Sequence, residues 1–257
     1  MRTFLSLILL FILIGCKKTT DATAQKVASI KTTHLKETSI VVKPIQHATM
    51  LLQWGETTIY IDPVGGAKAF EGDSEPDLIL ITDIHGDHFS LSTLEELNTS
   101  NAKIMVPQAV ANKIPDNFAP QIDVLTNGSE KERFGFNVTA IPMYNLREEA
   151  LKFHTKGRGN GYVIEKAGKR VYISGDTEDI PEMRALQDID IAFICMNLPY
   201  TMTVNKAAEA VLDFKPNKVY PYHYRGTDGL SDVTLFKSII NEANSDIEVI
   251  QLDWYSN

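Results

Sequence analysis

The chain has 257 residues, of which 44% are hydrophobic and 23% charged, a balance typical of a globular protein with one large core. Its formal net charge is −8, and no run of Lys and Arg in the sequence is longer than two residues. This acidic balance argues against a surface that gathers nucleic acid, and we expect no nucleic-acid partner.

The first sixteen residues differ in character from the rest of the chain. Arg2 precedes an apolar run over residues 4–14, which is too short to cross a bilayer as a stable anchor. The run ends in Leu-Ile-Gly-Cys at residues 13–16, which resembles the bacterial lipobox. The resemblance implies a signal peptide over residues 1–15 and a lipid on Cys16. An uncleaved anchor and a chance cysteine are the alternatives.

Residues 16–38 are rich in Lys, Thr, Ala and Ser, which predicts a flexible tether. Lipid chains on Cys16 would then hold the protein at a membrane, which places it at the bacterial cell envelope, facing the periplasm or the surface. The folded domain is predicted over residues 39–257. The other cysteine, Cys195, lies in an apolar run and is predicted to pack in the core.

Residue patterns predict strands and helices along the domain. The predicted strands are residues 40–42, 50–54, 57–61, 78–81, 103–106, 137–141, 161–165, 170–173, 189–196, 218–220 and 247–250. The predicted helices are residues 91–97, 205–214 and 231–241. Ser92 and Glu95 are expected to form a capping box. Antiparallel strands at the start of the domain are followed by strands that alternate with helices. This order predicts an α/β fold in which helices flank two mixed sheets, an αββα sandwich.

The strand predicted at residues 78–81 runs directly into the sequence Asp-Ile-His-Gly-Asp-His at residues 83–88. In an extended segment Asp83, His85 and Asp87 would point to one side, and a bend at Gly86 would bring His88 to them. Such groups repel or stay unsatisfied when buried together, and a divalent cation resolves this by accepting all of them. The pattern predicts a metal site. A solvated loop that caps a helix is the alternative.

Three segments resemble signatures of the metallo-β-lactamase superfamily. Residues 82–88 match its Thr-His-x-His-x-Asp-His motif, except that Asp83 replaces the first histidine, while residues 173–177 resemble its Gly-Asp-Thr loop and residues 220–224 its final histidine-bearing strand. Within the superfamily, residues 46–48, 60–63 and 201–203 are similar to the L-ascorbate-6-phosphate lactonase-like branch. The resemblance implies the αββα sandwich and a metal-dependent hydrolase.

The resemblance also implies a site for two divalent ions. The residues that match its ligand motifs are Asp83, His85, Asp87, His88, Asp176 and His223. Asp83 and His85 would hold one ion, the Asp87-His88 pair and His223 the other, and Asp176 would bridge them. Asp87 and Asp176 are the predicted catalytic residues, because either could take a proton from water.

One expected ligand departs from the family pattern. No histidine occurs at residues 141–145, where the family has one, so we expect His154 to replace it, with Asn145 or an open position as alternatives. His47 is either a contact of the site or a structural histidine. Zinc is the first expectation for the metal, but the additional carboxylate of Asp83 shifts the preference towards manganese or iron.

The predicted reaction is hydrolysis of a small-molecule ester, lactone or phosphodiester by metal-activated water. A lipid-directed phosphodiesterase at the envelope and a metal-binding lipoprotein without turnover are the alternatives. Basic residues near the proposed ligands could bind an anionic group of the substrate, or could be solvated loop charges. These residues are Arg147, Lys152, Lys156, Arg158 and Arg225.

Overall fold

A computed structural model describes residues 38–255 of the chain. The predicted signal peptide, Cys16 and nearly all of the predicted tether lie outside the described residues. The strands are β1 (Ile40–Gln46), β2 (Thr49–Trp54), β3 (Thr57–Ile61), β4 (Leu78–Leu80), β5 (Lys103–Val106), β6 (Ile122–Val124), β7 (Glu130–Arg133), β8 (Phe136–Met143), β9 (Gly159–Lys166), β10 (Lys169–Ile173), β11 (Ile191–Cys195), β12 (Lys218–Tyr222), β13 (Arg225–Gly226), β14 (Gly229–Leu230) and β15 (Glu248–Val249).

Among residues 38–255, five helices lie between the strands. They are α1 (Leu91–Glu96), α2 (Gln108–Ala111), α3 (Pro181–Arg184), α4 (Val204–Phe214) and α5 (Val233–Ala243), and 3₁₀ turns occur at Ala67–Phe70, Asp116–Phe118 and Glu148–Ala150. No helix within residues 38–255 combines the length and the hydropathy that crossing a bilayer requires.

Two mixed sheets carry the fold. In the first sheet, with order β1-β2-β3-β4-β5-β6, the pairs β1–β2 and β2–β3 are antiparallel and the later pairs are parallel. The second sheet has the order β15-β12-β11-β10-β9-β8-β7 and is parallel on the β15 side. The β2–β3 hairpin turns at Gly55, whose φ of 61° suits a residue without a side chain.

Burial places the sheets face to face between helices. The main core joins inward side chains of the first sheet, such as Trp54, to those of the second sheet, such as Phe136, and the centroids of these two rings are 5.1 Å apart. Helices α4 and α5 pack their apolar sides on the same core. A second core lies between the other face of the first sheet and α1 and α2. The layers therefore follow the predicted αββα order, because each sheet is buried on both faces.

The predicted strands and long helices are present, with shifted ends. Strands β6 and β7 were not predicted, because β6 is short and β7, at the edge of its sheet, has the sequence Glu-Lys-Glu-Arg. The predicted capping box is wrong. Ser90, not Ser92, is the N-cap of α1, and its side chain accepts a hydrogen bond from the N–H of Thr93.

Candidate metal centre

Every histidine of the described residues lies at one site, on segments that connect strands. These residues are His47, His85, His88, His154 and His223. With Asp83, Asp87 and Asp176 they form three groups of three residues, and within each group the ligand atoms lie within 4.8 Å of one another. The site opens into a cavity of about 410 Å³. The structure therefore brings together all seven side chains that the sequence assigned to the metals.

Unusual backbone conformations direct three of the side chains at this site. His47, Asp62 and His223 follow strands β1, β3 and β12, and their φ angles are 50°, 46° and 46°. Side chains other than glycine adopt this left-handed region at a cost of about 1 kcal/mol or more. Such strain persists where the surrounding structure requires the conformation.

The segment of residues 83–88 turns more tightly than predicted. We expected an extended segment with a bend at Gly86, but residues 84–88 form a bend and turn in which the N–H of His88 donates to the carbonyl oxygen of His85 at 3.0 Å. The turn separates the motif, because Asp83 and His88 are fully buried, whereas the side chain of Asp87 is 40% exposed towards the cavity.

The most buried group consists of His88, Asp176 and His223. Nε2 of His88 lies 3.1 Å from Nε2 of His223 and 3.4 Å from Oδ2 of Asp176. Oδ1 of Asp176 is buried and accepts no hydrogen bond from any described residue, although Nε2 of His223 is 3.3 Å away. Ring nitrogens and an unsatisfied carboxylate oxygen that face one another form a donor set that fits a divalent cation.

Asp62 fixes the orientation of His88. Its Oδ2 accepts hydrogen bonds from Nδ1 of His88 at 2.8 Å and from the hydroxyl of Thr82 at 2.7 Å, and its Oδ1 accepts from the N–H of Thr82. Because Nδ1 of His88 donates to this carboxylate, Nε2 is the atom available to a metal.

The carboxylates around His88 favour the protonated form of its imidazole. Burial alone would lower the pKa of His88, but Asp176 and Asp62 outweigh this effect and hold the pKa well above its ordinary value. For Asp176, burial alone would raise the pKa of the carboxyl group, but His223 and His88 keep this pKa well below its usual range. Binding of a cation at this position would release the proton from His88.

His47 is closer to the centre than the sequence could establish. Its Nε2 and the Nε2 of His223 each lie 3.3 Å from Oδ2 of Asp87, while its Nδ1 is 2.9 Å from the hydroxyl of Tyr255. Burial opposes ionisation of Asp87, yet the contacts with His223 and His47 keep its pKa below the ordinary value. Of the two roles that the sequence left open for His47, the structure supports direct contact with the site.

His154, rather than Asn145, lies beside Asp176. Nε2 of His154 is 3.2 Å from Oδ2 of Asp176. The amide of Asn145 donates to the carbonyl oxygens of Ala150 and Tyr200, and Nδ1 of His154 contacts the same oxygen of Tyr200 at 3.1 Å. This contact leaves Nε2 of His154 directed at the centre. Although the following segment is rich in glycine, His154 is 1% exposed.

Asp83 has partners that the sequence did not indicate. Its carboxylate accepts two hydrogen bonds from Arg158, from Nε at 3.0 Å and from an Nη at 2.8 Å, and Oδ2 is 2.7 Å from Nδ1 of His85. Burial would raise the pKa of Asp83, but the contacts with His85 and Arg158 outweigh it and lower the pKa. The extra negative charge that replaces the family histidine is thus compensated by Arg158.

Comparison with known proteins agrees with this fold. The chain matches the Beta-lactamase superfamily domain over residues 42–223. A UPF0173 metal-dependent hydrolase of Pyrococcus abyssi is 30% identical over 213 residues, which are 79% of this chain and 93% of the relative. A crystal structure described as a metal-dependent hydrolase, from Parabacteroides distasonis, is 35% identical with a TM-score of 0.73 and covers 82% of this chain and 92% of its own.

A more distant structure has the same fold. Igni18, a metallo hydrolase from Ignicoccus hospitalis, is 22% identical with a TM-score of 0.69, and the match covers 83% of this chain and 95% of that chain. Fold and ligand groups together define a metal-dependent hydrolase. The chain belongs to the metallo-β-lactamase superfamily, with the UPF0173 metal-dependent hydrolases as relatives. The predicted fold and enzyme class are confirmed, and the fold implies that the candidate ligand groups bind divalent metal.

We expect Asp62→Asn to lower the metal affinity of the protein by about 10- to 100-fold, because groups that orient a metal-binding histidine typically have effects of this size. Competition with a chelator measures the affinity. Asp73→Asn is the matched control, since Asp73 pairs with Lys43 on the surface at 2.7 Å. Equal affinities of the two variants would contradict the role of Asp62.

We expect Arg158→Gln to lower the free energy of unfolding of the metal-free protein by about 3 kcal/mol, because the buried carboxylate of Asp83 loses its partner. The double variant Asp83→Asn/Arg158→Gln should recover at least half of this loss. Urea unfolding after chelation measures both variants. Lys218→Gln, which breaks the exposed pair with Glu248, should cost less than about 1 kcal/mol. A similar cost for Arg158→Gln would refute the assignment.

Proposed function

We propose that this hydrolase cleaves an ester, lactone or phosphodiester bond of a small molecule with two divalent ions at the centre. The observation that carries the proposal is the buried group of His88, Asp176 and His223, which borders the cavity through Asp176. Divalent ions held there would supply Lewis acidity, which lowers the pKa of a water molecule and polarises the bond that is cleaved.

The proposed ligand groups follow the clusters of side chains. Asp83, His85 and His154 form one group, and His88, Asp176 and His223 form another, with Asp87 between His47 and His223. Asp176 lies within 3.4 Å of His88, His154 and His223, which supports a bridging position between two ions. Imidazoles predominate among these ligands, which favours zinc, while the carboxylates also suit manganese or iron.

Asp87 and Asp176 are the proposed catalytic residues, in different roles. The side chain of Asp87 is 40% exposed and lines the cavity, so it can orient a water molecule there and pass a proton to solvent. Asp176 is 4% exposed and is surrounded by imidazoles, so its charge is fixed and its main role is to hold the centre together.

Two further assignments rest on the sequence. The segments at residues 46–48, 60–63 and 201–203 support a place in the L-ascorbate-6-phosphate lactonase-like branch, and thus a lactone among the substrates to test. The lipobox-like residues 13–16 support lipid attachment at Cys16 and a position at the bacterial cell envelope, with residues 39–257 as the hydrolase domain.

We expect Asp87→Ala and His88→Ala each to abolish bound metal and turnover together, because each removes a proposed ligand. Elemental analysis of the purified protein measures the metal, and assays on a panel of lactones and phosphodiesters with and without chelator measure turnover. Asp116→Ala, at an exposed position in a 3₁₀ turn, is the control and should retain both. Full activity in either ligand variant would overturn the assignment.

We expect Cys16→Ser to move the protein from the membrane fraction to the soluble fraction of its cells, because the lipid attachment site is lost. Cell fractionation and mass spectrometry of the N-terminal peptide measure the change. Cys195→Ser, which alters the buried cysteine, is the control and should leave the protein at the membrane. Membrane retention of Cys16→Ser would contradict the lipid anchor.

A further inference from the structure

The cavity at the metal centre has an aromatic side. Phe153 and Tyr200 both line it, and their rings meet edge to face with centroids 5.1 Å apart. Tyr200 is 37% exposed, so part of its ring surface is available to a ligand. An aromatic wall beside charged groups accommodates the uncharged portion of a small molecule, while the charged groups fix its orientation.

Arg225 supplies a positive charge in the same cavity. Its guanidinium carbon lies 4.1 Å from the ring centroid of Tyr255, and its backbone N–H donates to the hydroxyl of Tyr255 at 3.1 Å. The same hydroxyl is 2.9 Å from Nδ1 of His47, which contacts Asp87. Stacking on Tyr255 therefore positions the guanidinium relative to the metal centre.

The short β13–β14 hairpin holds Arg225 near the aromatic wall. The N–H of Thr227 donates to the carbonyl oxygen of Leu198 at 3.1 Å, and its hydroxyl donates to the hydroxyl of Tyr200 at the same distance. A Cβ at Gly226 would lie 1.8 Å from that carbonyl oxygen, so only glycine permits this close approach. The contact places Arg225 and Tyr200 at the same rim.

The other basic residues near the site have different partners. The ion pairs are Arg147–Glu178 at 2.6 Å, Lys156–Glu182 at 2.8 Å and Arg158–Asp83 at 2.8 Å. The amine of Lys152 lies 5.0 Å from the ring centroid of Phe153, and Lys152 does not line the cavity. Within residues 38–255, Arg225 lines the cavity without an ion-pair partner, so its planar donors remain available for a ligand.

We propose that Arg225 binds an anionic group of the substrate, a carboxylate or a phosphate, while an apolar portion of the substrate lies against Phe153 and Tyr200. A guanidinium binds either group through two parallel hydrogen bonds. The net charge of −8 gives the whole molecule no attraction for anions, so recognition depends on local cations. The inference rests on the proposed function, because it names the substrate class of that same site.

Calorimetric titration of the metal-loaded protein tests the inference. Phenyl phosphate and phenylacetate are the anionic probes, and benzyl alcohol is the neutral probe of similar size. In Arg225→Met the dissociation constants of the anionic probes should rise about tenfold, as for the loss of a charge-assisted pair, while that of benzyl alcohol stays unchanged. Arg225→Lys should give a smaller rise, because it keeps the charge without the planar fork.

Lys152→Met is the matched control, since it removes a cation near the same aromatic wall and should leave all three affinities unchanged. Bound metal attracts the anions equally in every variant, so its contribution cancels when the dissociation constants of a variant and of the unchanged protein are compared. A larger loss for phenyl phosphate would assign a phosphate to Arg225, and a larger loss for phenylacetate would assign a carboxylate.

Anion affinities unchanged in Arg225→Met, or an equal loss for benzyl alcohol, would overturn the inference. The titration requires no turnover. A protein that hydrolyses no substrate but shows the Arg225-dependent affinity would therefore refute the proposed function and leave the anion site supported.

Discussion

The carboxylate of Asp176 lies between three imidazoles that come from three separate parts of the chain. It is 3.2 Å from His154, 3.4 Å from His88 and 3.3 Å from His223, and it is almost fully buried. A buried charge is costly unless partners compensate it, and these three histidines surround the carboxylate. Both sheets contribute to this point, since β4 precedes His88 while β10 and β12 precede Asp176 and His223.

The same need for compensation explains the residues around the centre. Asp62 directs one nitrogen of His88 towards the centre by binding the other, and Arg158 neutralises the carboxylate that replaces the family's first histidine. The left-handed backbone at His47, Asp62 and His223 is a conformational cost in the same region. Left-handed backbone and buried charge thus occur together where the proposed metals bind, which is typical of a functional site.

The distribution of charge around the cavity separates metal binding from recognition of the substrate. Most basic side chains near the site are paired with carboxylates, so they stabilise loops and do not attract ligands. Arg225 differs, because it stacks on Tyr255 and lines the cavity together with Phe153 and Tyr200. Changes at this rim would alter which molecules bind without altering the metal centre, which is how one fold serves many substrates.

The sequence by itself determined the fold class and the main ligand motif, because both depend on local patterns. Buried strands are continuous apolar runs, and residues 83–88 carry four of the proposed metal-binding groups within one turn. Local patterns could not predict the contacts that support these ligands, because the partners are far apart in the sequence. Asp83 and Arg158 are separated by 75 positions, and His47 meets Tyr255 across 208.

Only the tertiary structure decided which side chains meet. Arg158 pairs with Asp83 and leaves Arg225 as the cation of the cavity, and His154 is buried beside Asp176 although its loop is rich in glycine. The physical reason is that a local pattern fixes the kind of element a segment forms. Packing between distant elements fixes the neighbours of each charge, and those neighbours determine whether it binds a metal, a substrate or another side chain.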